Sequence, residues 1–271
     1  MNIVLMGTND WVVPVFDKIA DTHKIIAVFT RAPKPAGRKM ELQKSPVHIW
    51  AEEHNLPVYT NINDYNFKPD YVVVASYGVI LRDNVLGSAP VINIHPSLLP
   101  KYRGPSPMLS ALKNGDTETG VCLMKVTNEV DAGDIYMMEK IEIGENDTNE
   151  ILQKKVSEVS AEMLSEYLKN PEKYPGHPQV GTPTHCHKFT KEDTIIDWGK
   201  SPVEIHNLVR SIGGRTKITD NDVKILKTRI NADGRLEILR VHPAGKKPMS
   251  WADFLNGHKY IKVLGFHNVA I

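Results

Sequence analysis

The chain has 271 residues, 41% of them hydrophobic and 24% charged, so it can form one large globular domain or two domains that each bury a core. Its net charge of +1 gives no indication of an anionic partner, and no apolar run approaches the roughly 20 residues that a membrane helix needs. The apolar start is too short for a signal peptide, and no basic residue precedes it. Cys122, inside an apolar strand pattern, and Cys186 are the only cysteines, which indicates a reducing compartment. We therefore expect a cytoplasmic protein without a membrane partner.

The first half of the chain alternates short apolar runs with helical patterns. Runs at residues 3–6, 25–29 and 70–76 predict buried strands. Helices between such strands are typical of an α/β fold with a doubly wound, mostly parallel sheet. Gly7 stands alone after the first strand, whereas a dinucleotide fingerprint needs several glycines at that turn, so an NAD site is disfavoured.

Two stretches of the chain are rich in basic residues. Residues 31–45 contain five Lys or Arg, among them Arg38 and Lys39, against one acidic residue and without periodicity. We expect a long exposed loop there, of the kind that is functional or disordered. From residue 203 onward, 12 Lys or Arg face 6 Asp or Glu, which favours a basic module that could meet phosphate. A solvated basic face without a partner is the alternative.

The second half of the chain contains two predicted strands, a long helix and a small final module. The strands lie at residues 120–126 and 135–143, and Thr148 can cap the helix that follows. A stretch rich in Gly and Pro then indicates a linker. The predicted division is a first domain at 1–174, a linker at 175–200 and a final domain at 201–271.

The linker carries a His-Cys-His triplet at residues 185–187. Adjacent residues cannot easily converge on one tetrahedral ion, and the sequence has no second ligand cluster. We therefore expect no metal site.

Two polar side chains stand at the end of the predicted strand at residues 91–95. Because strand side chains alternate, Asn93 and His95 point to the same side. The Pro-rich loop that follows ends the strand, and strand ends of this kind carry the sites of α/β folds. Taken alone, such a pair is more typical of hydrogen-bonded spacers than of a catalytic site.

Asp131 is the best-placed carboxylate to act with Asn93 and His95. On its own it fits a turn aspartate that bonds its neighbouring backbone ahead of Gly133. A second open question concerns residues 77–81, which directly follow the third predicted strand. They fit either a buried core or one wall of an apolar pocket.

Four segments resemble the catalytic domain of the folate-dependent formyltransferases. They are Asn-Ile-His at 93–95, Ser-Leu-Leu-Pro-Lys-Tyr-Arg-Gly at 97–104, Glu-Thr-Gly-Val at 118–121 and Asp-Ala-Gly-Asp at 131–134. Further segments at 35–38, 45–47, 196–198 and 243–250 are similar to the members of that family that formylate methionyl-tRNA. The resemblance spans residues 3 to about 258, which is nearly the whole chain.

The resemblance implies a fold, a co-substrate and a partner. The fold would be a Rossmann-like formyltransferase domain with a mostly parallel sheet, followed by a small, reduced OB-like β domain. The co-substrate would be 10-formyltetrahydrofolate, without a metal, and the partner would be initiator methionyl-tRNA. We expect a monomer.

The resemblance also implies roles for individual residues. Asn93 and His95 would donate hydrogen bonds to the formyl oxygen as it gains charge, and Asp131 would take the proton of the amine or hold the tautomer of His95. The predicted folate-binding residues are Tyr77, Gly78, Val79, Ile80, Leu81, Ser97, Leu98, Leu99 and Pro100. The predicted tRNA-binding residues are Arg38, Lys39, Lys246 and Lys247.

One departure from the family keeps other functions open. Few residues follow Gly213 compared with the full carboxyl barrel of the family, so we expect a trimmed barrel. Sugar N-formyltransferases also carry reduced carboxyl modules, and an amino-sugar nucleotide is therefore the alternative acceptor. A non-catalytic RNA-binding module is a third possibility, against which the intact set of Asn93, His95 and Asp131 argues.

Overall fold

The computed structural model describes residues 1–37, 40–218 and 221–258, and the chain forms two compact units. The first unit contains Met1–Pro105, Thr119–Ile141 and Gln153–Cys186. The second contains Ser106–Glu118, Glu142–Leu152 and the chain from His187 onward.

A seven-stranded sheet forms the centre of the first unit, with strand order β5-β2-β1-β6-β7-β8-β9. Neighbouring strands from β5 to β7 are parallel, and β8 is antiparallel to β7. The strands of this part of the chain, including a separate pair β3 and β4, are β1 (Asn2–Gly7), β2 (Lys24–Phe29), β3 (Lys34–Ala36), β4 (Glu41–Gln43), β5 (Val58–Tyr59), β6 (Tyr71–Ala75), β7 (Val91–His95), β8 (Glu118–Lys125) and β9 (Ile135–Glu142).

The helix that follows β4 begins at a Ser-Pro pair, which is a sequence signal for a helix start. Ser45 accepts a hydrogen bond from the backbone N–H of His48, with Pro46 at the first helical position. The helices are α1 (Val13–Ala20), α2 (Pro46–Glu53), α3 (Asp83–Leu86), α4 (Pro107–Asn114), α5 (Asn149–Lys169), α6 (Pro202–Ile212) and α7 (Trp251–Asn256).

The central strands of the first unit are buried on both faces. Ile3, Leu5, Val72 and Ile92 are fully buried, as continuous apolar runs in a parallel sheet require. The parallel order places the carboxyl ends of β1, β6 and β7 at one edge of the sheet. The α/β class with a mostly parallel sheet, predicted from the sequence, is confirmed.

The basic segment at residues 31–45 contains a β-hairpin in addition to loop. β3 and β4 pair in antiparallel fashion, and Gly37 adopts a left-handed backbone with φ of 72°. The hairpin is exposed, as expected. The solvent-exposed fraction is 66% for Met40 and 70% for Leu42. The prolines and charges of these short strands leave no alternating pattern from which the pairing could be predicted. Arg38 and Lys39 lie outside the described residues.

The second unit contains a small antiparallel sheet of four strands. The strands follow the order β10 (Gly214–Ile218), β11 (Asn221–Ile230), β12 (Leu236–Pro243) and β13 (Met249–Ser250). In the described part of the chain, β10 and β13 form the two edges of the sheet, so the trimmed barrel is an open sheet there. This confirms the small β domain after the parallel sheet.

A helix covers the core of the second unit. Ser201 and Glu204 form a capping box at the start of α6. Ile205 and Val209 of this helix pack in one buried cluster with Ile225 and Trp251.

His206 and Arg210 attach α6 to the segment Glu142–Leu152. The Arg210 Nη1 donates to the backbone oxygens of Gly144 and Asp147 at 3.1 and 3.2 Å. The His206 Nε2 donates to the Glu145 oxygen at 3.1 Å, and its Nδ1 lies 2.9 Å from the Thr228 hydroxyl. A carbonyl only accepts, so Nε2 carries a proton, and in the neutral ring Nδ1 can accept from the hydroxyl. Burial lowers the pKa of His206, Arg210 lowers it further, and the Glu145 carbonyl acts in the opposite direction.

The lowered pKa of His206 predicts that the protein loses stability in mild acid. The unfolded chain binds a proton at His206 below a pH of about 6.5, whereas the folded chain resists it. The free energy of unfolding should therefore decrease as the pH is lowered. This residue contributes a decrease of at most about 1.4 kcal/mol per pH unit. In denaturant titrations, His206→Gln should be less stable at neutral pH and should show a shallower decline in acid. His23→Gln serves as the control and should decline like the wild type. Equal slopes for wild type and His206→Gln would contradict this account.

Candidate active site

The carboxylate of Asp131 lies at the centre of a polar cluster in the first unit. The Asn93 Nδ2 donates to Oδ1 at 3.3 Å, and the backbone N–H of Gly104 donates to Oδ2 at 2.8 Å. The His95 Nδ1 lies 3.5 Å from Oδ2. Asp131 exposes only 14% of its side chain. The structure thus brings together the three residues that the sequence predicted to be catalytic.

The His95 ring lies between two oxygen atoms. Its Nε2 is 3.0 Å from the backbone oxygen of Tyr102. Because that oxygen can only accept, Nε2 carries a proton, and in the neutral ring Nδ1 then presents a lone pair toward Asp131. Burial lowers the pKa of His95, opposed by the charge of Asp131 and by the Tyr102 carbonyl. In this tautomer the ring can accept a proton at Nδ1, and it becomes a second donor only after that proton arrives.

Strand alternation and a tight turn position these side chains. Asn93 and His95 project from the same side of β7, opposite Met124 and Cys122 of β8. Asp131 adopts a left-handed backbone with φ of 51°, a conformation that Asp tolerates better than most residues. At Gly133, a Cβ would collide with the backbone oxygen of Lys125, so this turn requires glycine.

Three side chains without a role predicted from the sequence also lie near the Asp131 turn. They are Arg103, Glu129 and Gln179. The Arg103 Nε and Nη2 donate to the Gln179 Oε1 at 3.1 and 2.8 Å. The Arg103 Nη1 donates to Glu129 at 3.1 Å. Arg103 lies in a segment that carries the family resemblance, but Gln179 lies in the predicted linker, where no motif or periodicity marks it.

The predicted folate-binding segment at residues 77–81 divides into buried and exposed residues. Tyr77 and Leu81 pack in a core cluster with Phe29 and Val72, and burial raises the pKa of Tyr77 to about 12. Gly78 is exposed, as are Val79 and Ile80, at 43% and 79%. The ends of the segment thus pack in the core and its middle is exposed, while its predicted role in folate binding stays a prediction.

The second predicted folate-binding segment, Ser97 to Pro100, packs in a different cluster. Leu99 is buried against Cys122 and Met124, and the Ser97 hydroxyl donates to the backbone oxygen of Lys101 at 2.6 Å. Leu98 and Pro100 are partly exposed. These two side chains are the part of the segment that a ligand could contact.

The predicted tRNA-binding residues that can be placed lie in the second unit. Lys246 and Lys247 are exposed in the turn between β12 and β13. Arg38 and Lys39 lie outside the described residues, so their predicted role stays a prediction.

The His-Cys-His triplet does not converge on a common point. The Cys186 thiol donates to the Tyr102 oxygen at 3.5 Å, and the His187 ring lies beside Phe189 with centroids 4.9 Å apart. Within residues 1–37, 40–218 and 221–258, no three His, Cys, Asp or Glu side chains form a group that could hold a metal ion.

A groove of about 650 Å³ lies along α1, β9 and α5, with Lys18, Met137 and Glu162 in its lining. Asn93, His95 and Asp131 are not among the residues that line it. Its volume alone therefore does not mark the candidate active site, which is defined by chemistry.

Comparison with known proteins assigns most of the chain to one family. Residues 1–168 match the family described as formyl transferase, and residues 188–233 match formyl transferase, C-terminal domain. The chain therefore belongs to the formyl transferase family, as the sequence resemblance predicted.

Relatives in sequence and in structure agree with this assignment. A methionyl-tRNA formyltransferase of Fusobacterium nucleatum is 33% identical, with 97% of this chain and 98% of the relative covered. A solved methionyl-tRNA formyltransferase from Clostridium thermocellum has a TM-score of 0.65 at 18% identity and covers 90% of this chain and 98% of that one. An N-formyltransferase from Helicobacter canadensis, in complex with folinic acid and dTDP-3-aminofucose, has a TM-score of 0.67 at 21% identity and covers 84% and 87%. At these identities the two solved structures establish the fold alone.

Among the described residues, no helix is long and apolar enough to cross a membrane.

Proposed function

We propose that this protein transfers the formyl group of 10-formyltetrahydrofolate to the free amino group of initiator methionyl-tRNA. The observation that carries the proposal is the joint contact of Asn93, His95 and Gly104 with the Asp131 carboxylate. Relatives that carry the name methionyl-tRNA formyltransferase match nearly the full length of the chain, which supports the choice of acceptor. The place of action would be the cytoplasm, where charged tRNA is used, and the enzyme would act as a monomer.

The first chemical step is attack of the amine on the formyl carbon. A carbon–nitrogen bond forms, the formyl oxygen gains negative charge, and the amine nitrogen must lose a proton. Asp131 Oδ2 and His95 Nδ1 lie 3.5 Å apart, and both can accept that proton. Once it is held between them, His95 carries a second N–H.

Fixed donors then stabilise the negative charge on the formyl oxygen. Asn93 uses one Nδ2 hydrogen on Asp131, and its amide has a second hydrogen to donate. The protonated His95 ring directs its two N–H groups to Tyr102 and Asp131, so it would act on the formyl oxygen through its positive charge. Each such donor is typically worth about 3–4 kcal/mol when it meets the developing charge.

Collapse of the tetrahedral intermediate completes the transfer. The bond between the formyl carbon and the folate nitrogen breaks, and that nitrogen takes the proton held by Asp131 and His95. The products are the formylated amine and tetrahydrofolate. Proton and charge balance without a metal or a redox partner.

The folate ring would contact the exposed middle of the segment at 77–81. Val79 and Ile80 present apolar side chains at the carboxyl end of β6, and apolar surface of this kind favours a flat aromatic ligand. Leu98 and Pro100 would contribute from the loop after β7. Tyr77, Leu81, Ser97 and Leu99 would support the pocket from the core.

The tRNA backbone would meet the basic face of the second unit. On the antiparallel sheet, Arg215 lies opposite Lys224, and Lys227 lies opposite Arg240. Like charges directly opposite each other are unfavourable in isolation, and phosphates would relieve their repulsion. Lys246 and Lys247, exposed in the turn after β12, would add to the basic surface, and Arg38 and Lys39 would meet the acceptor end.

The proposed acceptor predicts a clear preference in a direct assay. In an assay with labelled 10-formyltetrahydrofolate, the label should be transferred to methionyl-tRNA. An amino-sugar nucleotide offered in the same assay should stay unlabelled.

Asn93→Ala should lower kcat by about 100- to 1,000-fold, since it removes one donor to the oxyanion. Asp131→Asn should lower kcat by about 100- to 10,000-fold, since it removes one of the two proton acceptors and its negative charge at similar size.

Controls separate this chemistry from general damage. Each variant should unfold like the wild type, and the exposed Val180→Ala should keep full activity, because Val180 is 88% exposed. Labelling of the amino sugar and not of the tRNA would show that the proposed acceptor is wrong. Near-wild-type turnover in both variants would contradict the proposed roles of Asn93 and Asp131.

Salt dependence tests the basic face. If Lys246 and Lys247 each contact one phosphate, Lys246→Ala combined with Lys247→Ala should reduce the slope of log affinity for tRNA against log salt by about 2. Lys68→Ala is the matched control, since Lys68 is exposed in the first unit. An unchanged slope in the double variant would show that these two lysines do not bind the tRNA backbone.

A further inference from the structure

We propose that Gln179 is a positioning residue for formyl transfer, which fixes the Asp131 carboxylate by holding its backbone. This inference rests on the proposed role of Asp131. It concerns a residue that does not touch the carboxylate group itself.

The side-chain amide of Gln179 is fully used on the site. Its Nε2 donates to the backbone oxygens of Asp131 and Gly133, at 2.8 and 3.0 Å. Its Oε1 accepts the two hydrogen bonds from Arg103. A carboxamide has two N–H hydrogens and two lone pairs, and every one of them has a partner here.

The Asp131 turn needs this support because its own conformation is uncommon. Asp131 and Tyr102, on the two loops that meet at the site, both have positive φ, of 51° and 58°. Such residues persist only where the surrounding structure holds them. Asn93 and Gly104 hold the carboxylate end of Asp131, and Gln179 holds its carbonyl end.

Arg103 closes a ring of contacts around the carboxylate. Arg103 is 9% exposed and binds Gln179, while its chain neighbour Gly104 donates to Asp131 Oδ2. Gln179 in turn binds the Asp131 backbone. A displacement of Gln179 would therefore shift the Asp131 carboxylate in two ways. It would move the Asp131 turn directly, and it would move Arg103 and the neighbouring Gly104 N–H that binds the carboxylate.

Gln179 belongs to a segment that is fixed at both ends. His177 exchanges backbone hydrogen bonds with Ile135 at 2.8 and 3.0 Å. Cys186 N–H donates to the Arg103 oxygen at 2.8 Å, and a Cβ on Gly104 would lie 2.5 Å from the Cys186 oxygen.

The neighbours of Gln179 in this segment face outward. Pro178 and Val180 are exposed, whereas Gln179 is partly buried among the site loops. The segment therefore presents Gln179 to the Asp131 turn from a fixed backbone.

Two substitutions separate the donor and acceptor ends of Gln179. Gln179→Met removes both ends at similar size, and Gln179→Glu keeps the acceptor for Arg103 but cannot donate to the two carbonyls. Both should lower kcat by about 10- to 100-fold, since small misplacements of a catalytic group have effects of this size. The KM values for 10-formyltetrahydrofolate and methionyl-tRNA should change little. The acid limb of the kcat profile against pH should move, because burial lowers the pKa of His95, the charge of Asp131 raises it, and the second effect depends on their distance.

A purely structural role would give a different result. Val180→Ala, at the exposed neighbour, should match the wild type in kcat, KM and pH profile. Wild-type kcat and pH profile in both Gln179 variants would overturn the inference. A loss of kcat that only follows the unfolded fraction, and disappears on cooling, would also overturn it.

Failure of the proposed function would look different again. In that case the wild type itself would not formylate methionyl-tRNA, or Asp131→Asn would keep full activity. Failure of this inference alone would leave the wild type active and Asp131→Asn slow, with the Gln179 variants unaffected.

Discussion

The site depends on a single nearly buried carboxylate that must be held by its neighbours. Asp131 has little contact with water, and a charge so placed is stable only when donors surround it. Asn93 and the Gly104 N–H supply one donor to each oxygen, and His95 lies beside the second. The parallel sheet sets Asn93 and His95 on one side of β7, and the two loops with positive φ carry Gly104 and Asp131 to them. In this account, the fold serves to assemble these groups around one carboxylate.

Much of this arrangement follows from local sequence rules. Apolar runs predict the parallel strands, and alternation along β7 predicts that Asn93 and His95 share a side. The four matched segments indicate the formyl transferase family, and the family matches confirm it. The predicted roles of Asn93, His95 and Asp131, and the domain boundaries at 1–174, 175–200 and 201–271, stay predictions. The structure adds that these three residues are in contact.

The parts that could not be predicted depend on contacts between distant residues. Gln179 reaches Asp131 across 48 positions and accepts from Arg103 across 76, and nothing in a Gly- and Pro-rich stretch marks one glutamine as special. The hairpin of β3 and β4 lacks an alternating pattern, so its pairing is visible only in three dimensions. The tautomer of His95 likewise depends on the backbone oxygen of Tyr102, whose position results from the tertiary fold.

The central claim is that His95 presents an unprotonated Nδ1 to Asp131 and so shares in accepting the proton of the amine. Nitrogen-15 NMR of the His95 ring tests it most directly, because the shifts of the two ring nitrogens distinguish the tautomers. The account predicts a neutral ring at neutral pH with the proton on Nε2, and a gain of a proton at Nδ1 only in acid. A neutral ring with its proton on Nδ1 would contradict it, since that ring could not take a further proton on the side of Asp131.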